Sequence, residues 1–433
     1  MDPLSWIAII GLIMILGFVG NYIFNKTQIP SIVWLLLSGL VIGYLFQIPQ
    51  ISVDYPGLLE GVSGLVAAIA IIIILFDGGI NTDIYQLFRG APRGLLLTLS
   101  SFLLSFFGTM ILVVLLNQAG IINIQGDSIV VGGMLGAIVA GTSSPIVIPL
   151  AYKLKNLQDK TKMVASIESI LTDPICIVVA FAIAYMVFEL GEINLILGVG
   201  NVVKTFSVGI VLGLALGIVW LFIMNKVKKQ EFSYILTLAL VFLVYSITVF
   251  IVGTNEGGEG AGAVACMLFG LVLGNGKKIL RMVKYKGRGF EMDEHTKEFH
   301  GLTSFVIRTF FFVYLGMIVS FQNINLIIIG VILVLVLLML RYLAVYISTY
   351  NGNFEKDDKQ TMVAMMPRGL AAAILAIKFG DMFVNRFMPD YPEFFKQISF
   401  VVILGTAIIT TVGISYICHC ENKKITKKTQ ENS

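Results

Sequence analysis

The sequence predicts an all-α polytopic membrane protein: thirteen transmembrane helices in two inverted six-helix repeats, with broken crossing helices at spans five and twelve. Three observations predict it. Hydrophobic residues make up 57% of the 433 and charged residues only 13%, with a mean hydropathy of +0.91, whereas soluble domains are about a quarter charged. Apolar runs of bilayer length recur along the whole chain. Basic residues segregate to alternate joints between those runs, as they do in multi-pass proteins.

Cutting the runs at charged or Pro/Gly-rich joints places spans at 4–24, 30–47, 58–80, 94–117, 128–151, 162–188, 194–224, 232–253, 260–275, 301–321, 325–350, 361–380 and 395–418. The first lacks a basic leader and a small-residue cleavage site, so it reads as an uncleaved span rather than a signal peptide. The seventh is long enough to tilt, and its Gly209, Gly213 and Gly217 repeat every four residues, a close-packing face between helices. The ninth is short and Gly-rich. Alternate joints collect 23 of the 30 basic residues, from Lys26 through the cluster Lys277–Lys297 to the tail lysines after Glu421. The opposite joints keep Arg386 and Lys396 beside acids such as Asp54, Asp127, Glu189, Glu192, Glu256 and Glu259. The expected topology is therefore N-terminus outside and C-terminus cytoplasmic, multi-pass in the plasma membrane.

The net charge of +4 points to no nucleic-acid partner; the bilayer is the medium, and the Lys-rich tail is expected against anionic headgroups. Four cysteines form no disulfide framework, and Cys418-His419-Cys420 lacks the fourth ligand a closed metal site needs.

Charge inside the spans carries the functional signal. Glu168 and Asp173 sit five residues apart in the apolar stretch from Met163 to Met186, with no Lys or Arg beside them on that span. A charge at mid-membrane costs about 2.5–3.5 kcal/mol on the lenient insertion scale, so such residues normally line a cavity that handles ions or protons. Two other spans are interrupted, the fifth by Gly141-Thr-Ser-Ser144-Pro145 and the twelfth by Pro367-Arg368-Gly369. They lie seven spans apart, which gives six-span halves of opposite orientation joined by span seven. Broken helices at matching places in inverted halves point to a midplane ion site of a secondary transporter. Five basic residues remain in or at the edges of spans: Lys204, Arg308, Arg341, Arg368 and Lys378. The lysines can snorkel to an interface. The arginines are candidate partners for Glu168, Asp173 or Asp77.

Four short patterns, in this order and span placement, resemble the thirteen-span sodium/proton exchanger type of monovalent cation/proton antiporter. They are Leu75-Phe-Asp77-Gly-Gly-Ile-Asn-Thr-Asp83, then Gly136-Ala-Ile-Val-Ala-Gly-Thr-Ser143-Ser144-Pro145, then Glu168-Ser169-Ile-Leu-Thr172-Asp173, and finally Arg341 with Pro367-Arg368-Gly369-Leu-Ala-Ala-Ala. The resemblance implies a homodimer working by an elevator-like movement. A dimerisation domain would comprise residues 1–93 and 230–322, and an ion-transport core 94–190 and 323–420. Residues 191–229 would form the linking span and 421–433 a short cytoplasmic tail. Two departures stand out: Ser144 replaces the family's usual Asp before proline, and Thr172 its usual Asn before Asp173. The site would hold one carboxylate where better-known members carry two.

Asp173 is the expected shared carrier, because one buried carboxylate can hold a proton or a cation but not both. Ser169, four residues earlier on the same helical face, the unwound Thr142, Ser143 and Ser144, and Thr172 are expected to supply oxygens to the ion site, with Asp173, Ser169 and Ser143 as the ligands of Na⁺ or K⁺. Glu168 and Thr172 lie on a face turned by about 100°. Glu168 is read as the structural partner of Arg341, since a buried charge persists when paired. Arg368 is expected to neutralise a helix end or balance Asp173. Arg308 is expected to brace the dimer-side domain, and Asp77 and Asp83 to attract cations near the cytoplasmic mouth. His295 and His300 read as parts of a solvated segment.

No resident cofactor is expected; the transported cation and proton are substrates. No His-Glu-x-x-His, Ser/Lys or Gly-x-Gly-Asp signature suggests an enzyme. The expected activity is Na⁺/H⁺ antiport, electroneutral because one carboxylate titrates. The alternatives are K⁺/H⁺ antiport on the same fold or, in a different class, a passive cation channel.

Overall fold

The computed structural model describes residues 3–27, 29–46, 56–154, 157–191, 194–227, 233–282, 294–319, 321, 323–391 and 393–431. Helix dominates, and no strand occurs among the described residues. The helices are α1 (Pro3–Thr27), α2 (Ser31–Phe46), α3 (Pro56–Ile80), α4 (Ile84–Gln118), α5 (Ser128–Val139), α6 (Ser144–Lys153), α7 (Asp159–Phe188) and α8 (Leu195–Val227). They continue with α9 (Ser233–Val252), α10 (Gly258–Gly274), α11 (Gly276–Met282), α12 (Glu294–Ile318), α13 (Ile324–Thr349), α14 (Lys356–Ala364), α15 (Leu370–Phe387) and α16 (Phe394–Glu431).

Among the described residues eight helices are long and apolar enough to cross a bilayer, counting α5 with α6 as one, or nine if α10 and α11 are taken together across their 81° bend. Local chemistry sets several of their ends. Asp127 accepts a hydrogen bond from the Ile129 N–H at 2.8 Å and so caps α5. Asn323 does the same for α13 through the Asn325 N–H at 3.1 Å. Pro174 lies inside α7, directly after Asp173. It removes the N–H that would have reached the Ile170 carbonyl and loosens the helix at the carboxylate.

Packing sorts the helices into two groups. Helices α4–α7 pack with one another and with α13–α16; helices α1–α3 pack with α8–α12, above all α10 on α3 and α8, and α12 on α2. Gly213 and Gly217 are the α8 side of one such contact. A Cβ at Gly213 would stand 2.5 Å from the Ala265 carbonyl oxygen, and one at Gly217 2.9 Å from Val272 Cβ. The four-residue glycine repeat is thus a packing face against α10.

Burial is uneven in an informative way. The apolar windows of α5–α6 and of α7 are 83% and 72% buried, against 28% for α8 and 39% for α13. The two breaks and both carboxylates of α7 thus lie among the most enclosed helices, whereas α8 and α13 expose long apolar faces.

Several details depart from the sequence expectations. The interrupted segment expected at 361–380 runs from Lys356 to Phe387, because Phe379, Phe383 and Phe387 keep the lengthened α15 anchored in the core. Helix α16 continues past the expected span end to Glu431. His300 is buried rather than part of a solvated segment: it sits in α12, edge-on to Phe76 with ring centroids 5.0 Å apart. Lys378 does not snorkel alone but pairs with Glu259 at 2.6 Å, and Lys204 pairs with Glu256. Asp54, Glu192 and the joint residues Lys155, Lys228, Lys229, Lys284, Lys286 and Arg288 lie outside the described residues, as do the side chains of Lys226, His295, Cys418, His419, Cys420 and the tail lysines.

Candidate ion site at two crossed helix breaks

The chain unwinds at 140–143 between α5 and α6, and again at 365–369 between α14 and α15. The two breaks touch. The Ser143 N–H donates to the Pro367 carbonyl at 2.8 Å. Gly369 lies so close to Ser143 that a Cβ on it would stand 2.5 Å from Ser143 Cβ. Each half-helix ends there with unpaired backbone groups, and buried side chains from neighbouring helices satisfy them.

Arg368 is fully buried and donates through Nη1 to the Ala140 and Gly141 carbonyls at 2.8 and 3.1 Å. It thereby neutralises the negative end of α5. Its Nη2 reaches Ser105 Oγ at 3.3 Å, and its own backbone N–H donates to Thr406 Oγ1 at 3.0 Å. Arg341 serves α14 in the same way, donating to the Met362 carbonyl from Nε at 3.0 Å and to the Met365 carbonyl from Nη2 at 2.9 Å. Nη1 of Arg341 donates to Ser101 Oγ at 3.2 Å. Ser101 and Ser105, one turn apart on α4, thus each receive one guanidinium.

The charge of Arg341 is met by Glu168. The pair is bidentate, Nη1 to Oε1 and Nη2 to Oε2, the second at 2.9 Å, and both residues are 1% exposed. A fork-on-fork pair with every donor engaged is the geometry in which a buried ion pair is stable.

Asp173 faces the other way. It lies in the field of Arg368 and against the α5 break: a Cβ on Gly141 would stand 3.4 Å from Asp173 Oδ1 and 3.0 Å from the Cys176 sulfur. It also borders a small cavity of about 10 Å³ whose other walls are apolar, from α3 (Ile71, Leu75) and α15 (Ile374) among others. A larger cavity of about 50 Å³ is lined by Thr82, Asp83, Tyr152, Ser166 and Ile170. Ile170 is three residues before Asp173, one turn along α7.

The remaining candidates divide. Thr172 ties the break down: its Oγ1 accepts from the Thr142 N–H at 3.1 Å and lies 3.3 Å from Thr142 Oγ1. Ser169 is buried and donates to the Ser166 carbonyl at 3.0 Å, leaving its lone pairs for a second partner. Ser144 begins α6 and is 8% exposed. Asp77 and Arg308 form a separate attracting pair between α3 and α12, with Asn81 Nδ2 donating to Asp77 Oδ1 at 2.9 Å and Arg308 Nε to the Ser304 carbonyl at 3.2 Å. Asp83 caps α4 through the Tyr85 N–H at 2.8 Å and pairs with Lys278 at 2.6 Å.

Sequence reasoning did not single out Ser101, Ser105, Thr406 or Cys176. A lone small polar residue on an apolar helix carries no pattern that separates it from one bonded to its own backbone. Among the described residues no three His, Cys, Asp or Glu side chains stand together. The donors at the breaks are a carboxylate, hydroxyls and carbonyls, hard oxygens suited to an alkali cation rather than a transition metal.

Residues 11–420 match the family described as sodium/hydrogen exchanger, transmembrane. Among curated relatives, the chain is 26% identical over 418 residues to Na(+)/H(+) antiporter 1 of Methanocaldococcus jannaschii, covering 95% of this chain and 92% of that one. It is 24% identical over 283 residues to the K(+)/H(+) antiporter NhaP of Alkalimonas amylolytica, covering 63% of this chain and 44% of that protein. Among solved structures, the sodium proton antiporter MjNhaP1 of M. jannaschii at pH 8 shares the fold with a TM-score of 0.78 at 22% identity, over 95% of this chain and all of that one.

Proposed function

The chain belongs to the sodium/hydrogen exchanger family, and from that premise we propose that it exchanges a monovalent cation, Na⁺ by preference, for H⁺ at Asp173. One observation carries the reading. A nearly buried carboxylate lies against an unwound backbone segment that carries the buried hydroxyls of Thr142 and Ser143. Proton and cation compete there for one negative charge, and competition at a site exposed alternately to each side gives coupled exchange.

Asp173 is the shared carrier. Ser169, Ser143, Ser144 and Thr142 contribute oxygens to the dehydrated cation, while Thr172 fixes the Thr142 backbone in place. Glu168 and Arg341 hold α7, α13 and α14 together, and Arg368 steadies the empty site. Asp77 and Arg308 lie on the other helix group and act there as a structural pair.

Helices α4–α7 and α13–α16 form a transport core that moves elevator-like against a dimerisation domain of α1–α3 and α9–α12, with α8 as the linking span. The small apolar-walled cavity between α3, α7 and α15 lies on that boundary. The full arrangement is thirteen spans in two inverted repeats, a homodimer in the plasma membrane with its N-terminus outside and C-terminus in the cytoplasm. One titrating carboxylate makes the exchange electroneutral.

A K⁺/H⁺ exchange is the second reading, favoured by Ser144, which stands where better-known members carry a second carboxylate, and by similarity to a relative named for K⁺. Proton flux in proteoliposomes under a pH gradient, with Li⁺, Na⁺, K⁺ and Rb⁺ added in turn, separates the two. Asp173→Asn abolishes coupled flux while leaving folding and dimerisation intact. Coupled flux that survives this change overturns the assignment, and cation conduction without proton movement would mean a channel.

A further inference from the structure

A further cavity adjoins α14, ahead of the break at 365–369. A groove of about 460 Å³ runs between the C-terminal half of α13, the short α14 and the later part of α16. Its volume falls within the range of ligand sites, about 300–1,000 Å³. Its floor is apolar, including Ile409 and Val363, and Tyr342, Tyr346 and Tyr416 stand along it, each more than half exposed. One end is basic: Lys356 and Lys359 both line the groove, and neither has a carboxylate partner among the described residues.

We propose that this groove binds one anionic phospholipid of the inner leaflet, its acyl chain against the apolar floor and its phosphate on Lys356 and Lys359. Three observations converge on that occupant. An apolar trough ending in two cations is complementary to an amphiphile with an anionic head, and basic pockets between membrane helices on the cytoplasmic side are a recurrent form of headgroup site. The tyrosines are the side chains that favour headgroup depth, with an apolar ring and a wet hydroxyl. Lys356 and Lys359 belong to the basic joints that the charge pattern assigns to the cytoplasmic side.

Such a lipid would lie along α14 from Lys356 to Ala364, up to the residue before the break, on the helix whose terminal carbonyls Arg341 holds. It would stabilise the half-helix without entering the ion site. The proposal is independent of the transport reading, while its inner-leaflet placement rests on the proposed topology.

The test uses the purified full-length chain in a neutral detergent, read by native mass spectrometry and by melting temperature. The additives are phosphatidylglycerol, phosphatidylcholine, glycerol 3-phosphate and inorganic phosphate. One phosphatidylglycerol retained per chain, with a rise in melting temperature given by that lipid alone, is the expected result. Lys356→Gln combined with Lys359→Gln removes both effects, whereas Lys423→Gln with Lys424→Gln in the tail leaves them. Equal stabilisation by phosphatidylcholine, or by the chain-free phosphates, overturns the proposal in favour of a general apolar groove or a free-anion site. Retention of the lipid by the Lys356/Lys359 double variant overturns it, and so does disulfide cross-linking between two copies carrying Tyr416→Cys, which would place a second chain in the groove.

Discussion

Lys378 of α15 donates to Glu259 of α10 at 2.6 Å, and Tyr245 of α9 donates to the same carboxylate oxygen at 3.1 Å. Both charged groups are 18% exposed. The contact joins helices of the two packing groups and lies apart from the crossed breaks.

If α15 moves against α10 during transport, this pair must break in each cycle. A partly exposed pair is worth about 1 kcal/mol. Lys378→Gln is therefore expected to raise the turnover of exchange by about twofold to fivefold with little change in the KM for cation. The swap Lys378→Glu with Glu259→Lys should return turnover toward wild type. Cation-driven proton flux in proteoliposomes measures both, and an unaltered turnover in the single variant would show that the pair never opens.

The Glu168–Arg341 pair makes a prediction about stability instead. Removing one partner of a buried ion pair leaves an uncompensated charge and costs about 3–5 kcal/mol. Arg341→Ala also frees the α14 carbonyls of Met362 and Met365, so it should be the worse of the two, with Glu168→Ala next. Arg341→Lys should rescue poorly, because an ammonium cannot fork onto a carboxylate and two carbonyls at once. Melting curves in detergent rank the three; a wild-type melt for Glu168→Ala would contradict this account.

Thr172 separates positioning from folding. Thr172→Ser keeps the hydroxyl that accepts from the Thr142 N–H, and Thr172→Val keeps the shape but leaves that buried donor unmatched, at about 1–3 kcal/mol. The valine variant should show a clearly raised KM for cation and the serine variant a value near wild type. If both behave alike, the hydroxyl does not hold the break.

Competition at one carboxylate fixes how affinity follows acidity. Where the site is mainly protonated, each unit fall in pH should raise the apparent KM for cation about tenfold, because one proton must leave for one cation to enter. A slope of two decades per unit would require a second titrating group. Glu168, held by Arg341, is the first residue to replace in that event.

Much of this arrangement was legible in the sequence because it is written in short, local signals. Gly and Pro mark the breaks at 141–145 and 367–369, and charges in apolar runs mark Glu168, Asp173, Arg341 and Arg368. What was illegible depends on which helices meet. Nothing near Lys378 in sequence announces Glu259, 119 residues away. Nothing around Thr172 says that its hydroxyl turns toward Thr142 rather than the cavity. His300 misled for a related reason: the stretch leading up to it is charged, but its ring lies edge-on to Phe76 of α3, far away in sequence. Polar character is read along the chain, whereas burial is decided across it.

The two guanidiniums at the crossing also bear on the charge balance of the proposed exchange. Arginine keeps its proton at any physiological pH, so Arg341 and Arg368 supply two fixed positive charges and Glu168 one negative. With Asp173 neutralised by H⁺ the cluster totals one positive charge; with Asp173 ionised and Na⁺ or K⁺ beside it, the total is the same. A membrane potential, which acts at about 2.3 kcal/mol per charge per 100 mV, therefore pulls equally on either laden form. On the proposed one-for-one exchange at Asp173 the outward and inward legs would then cancel, and voltage would neither drive nor brake the trade.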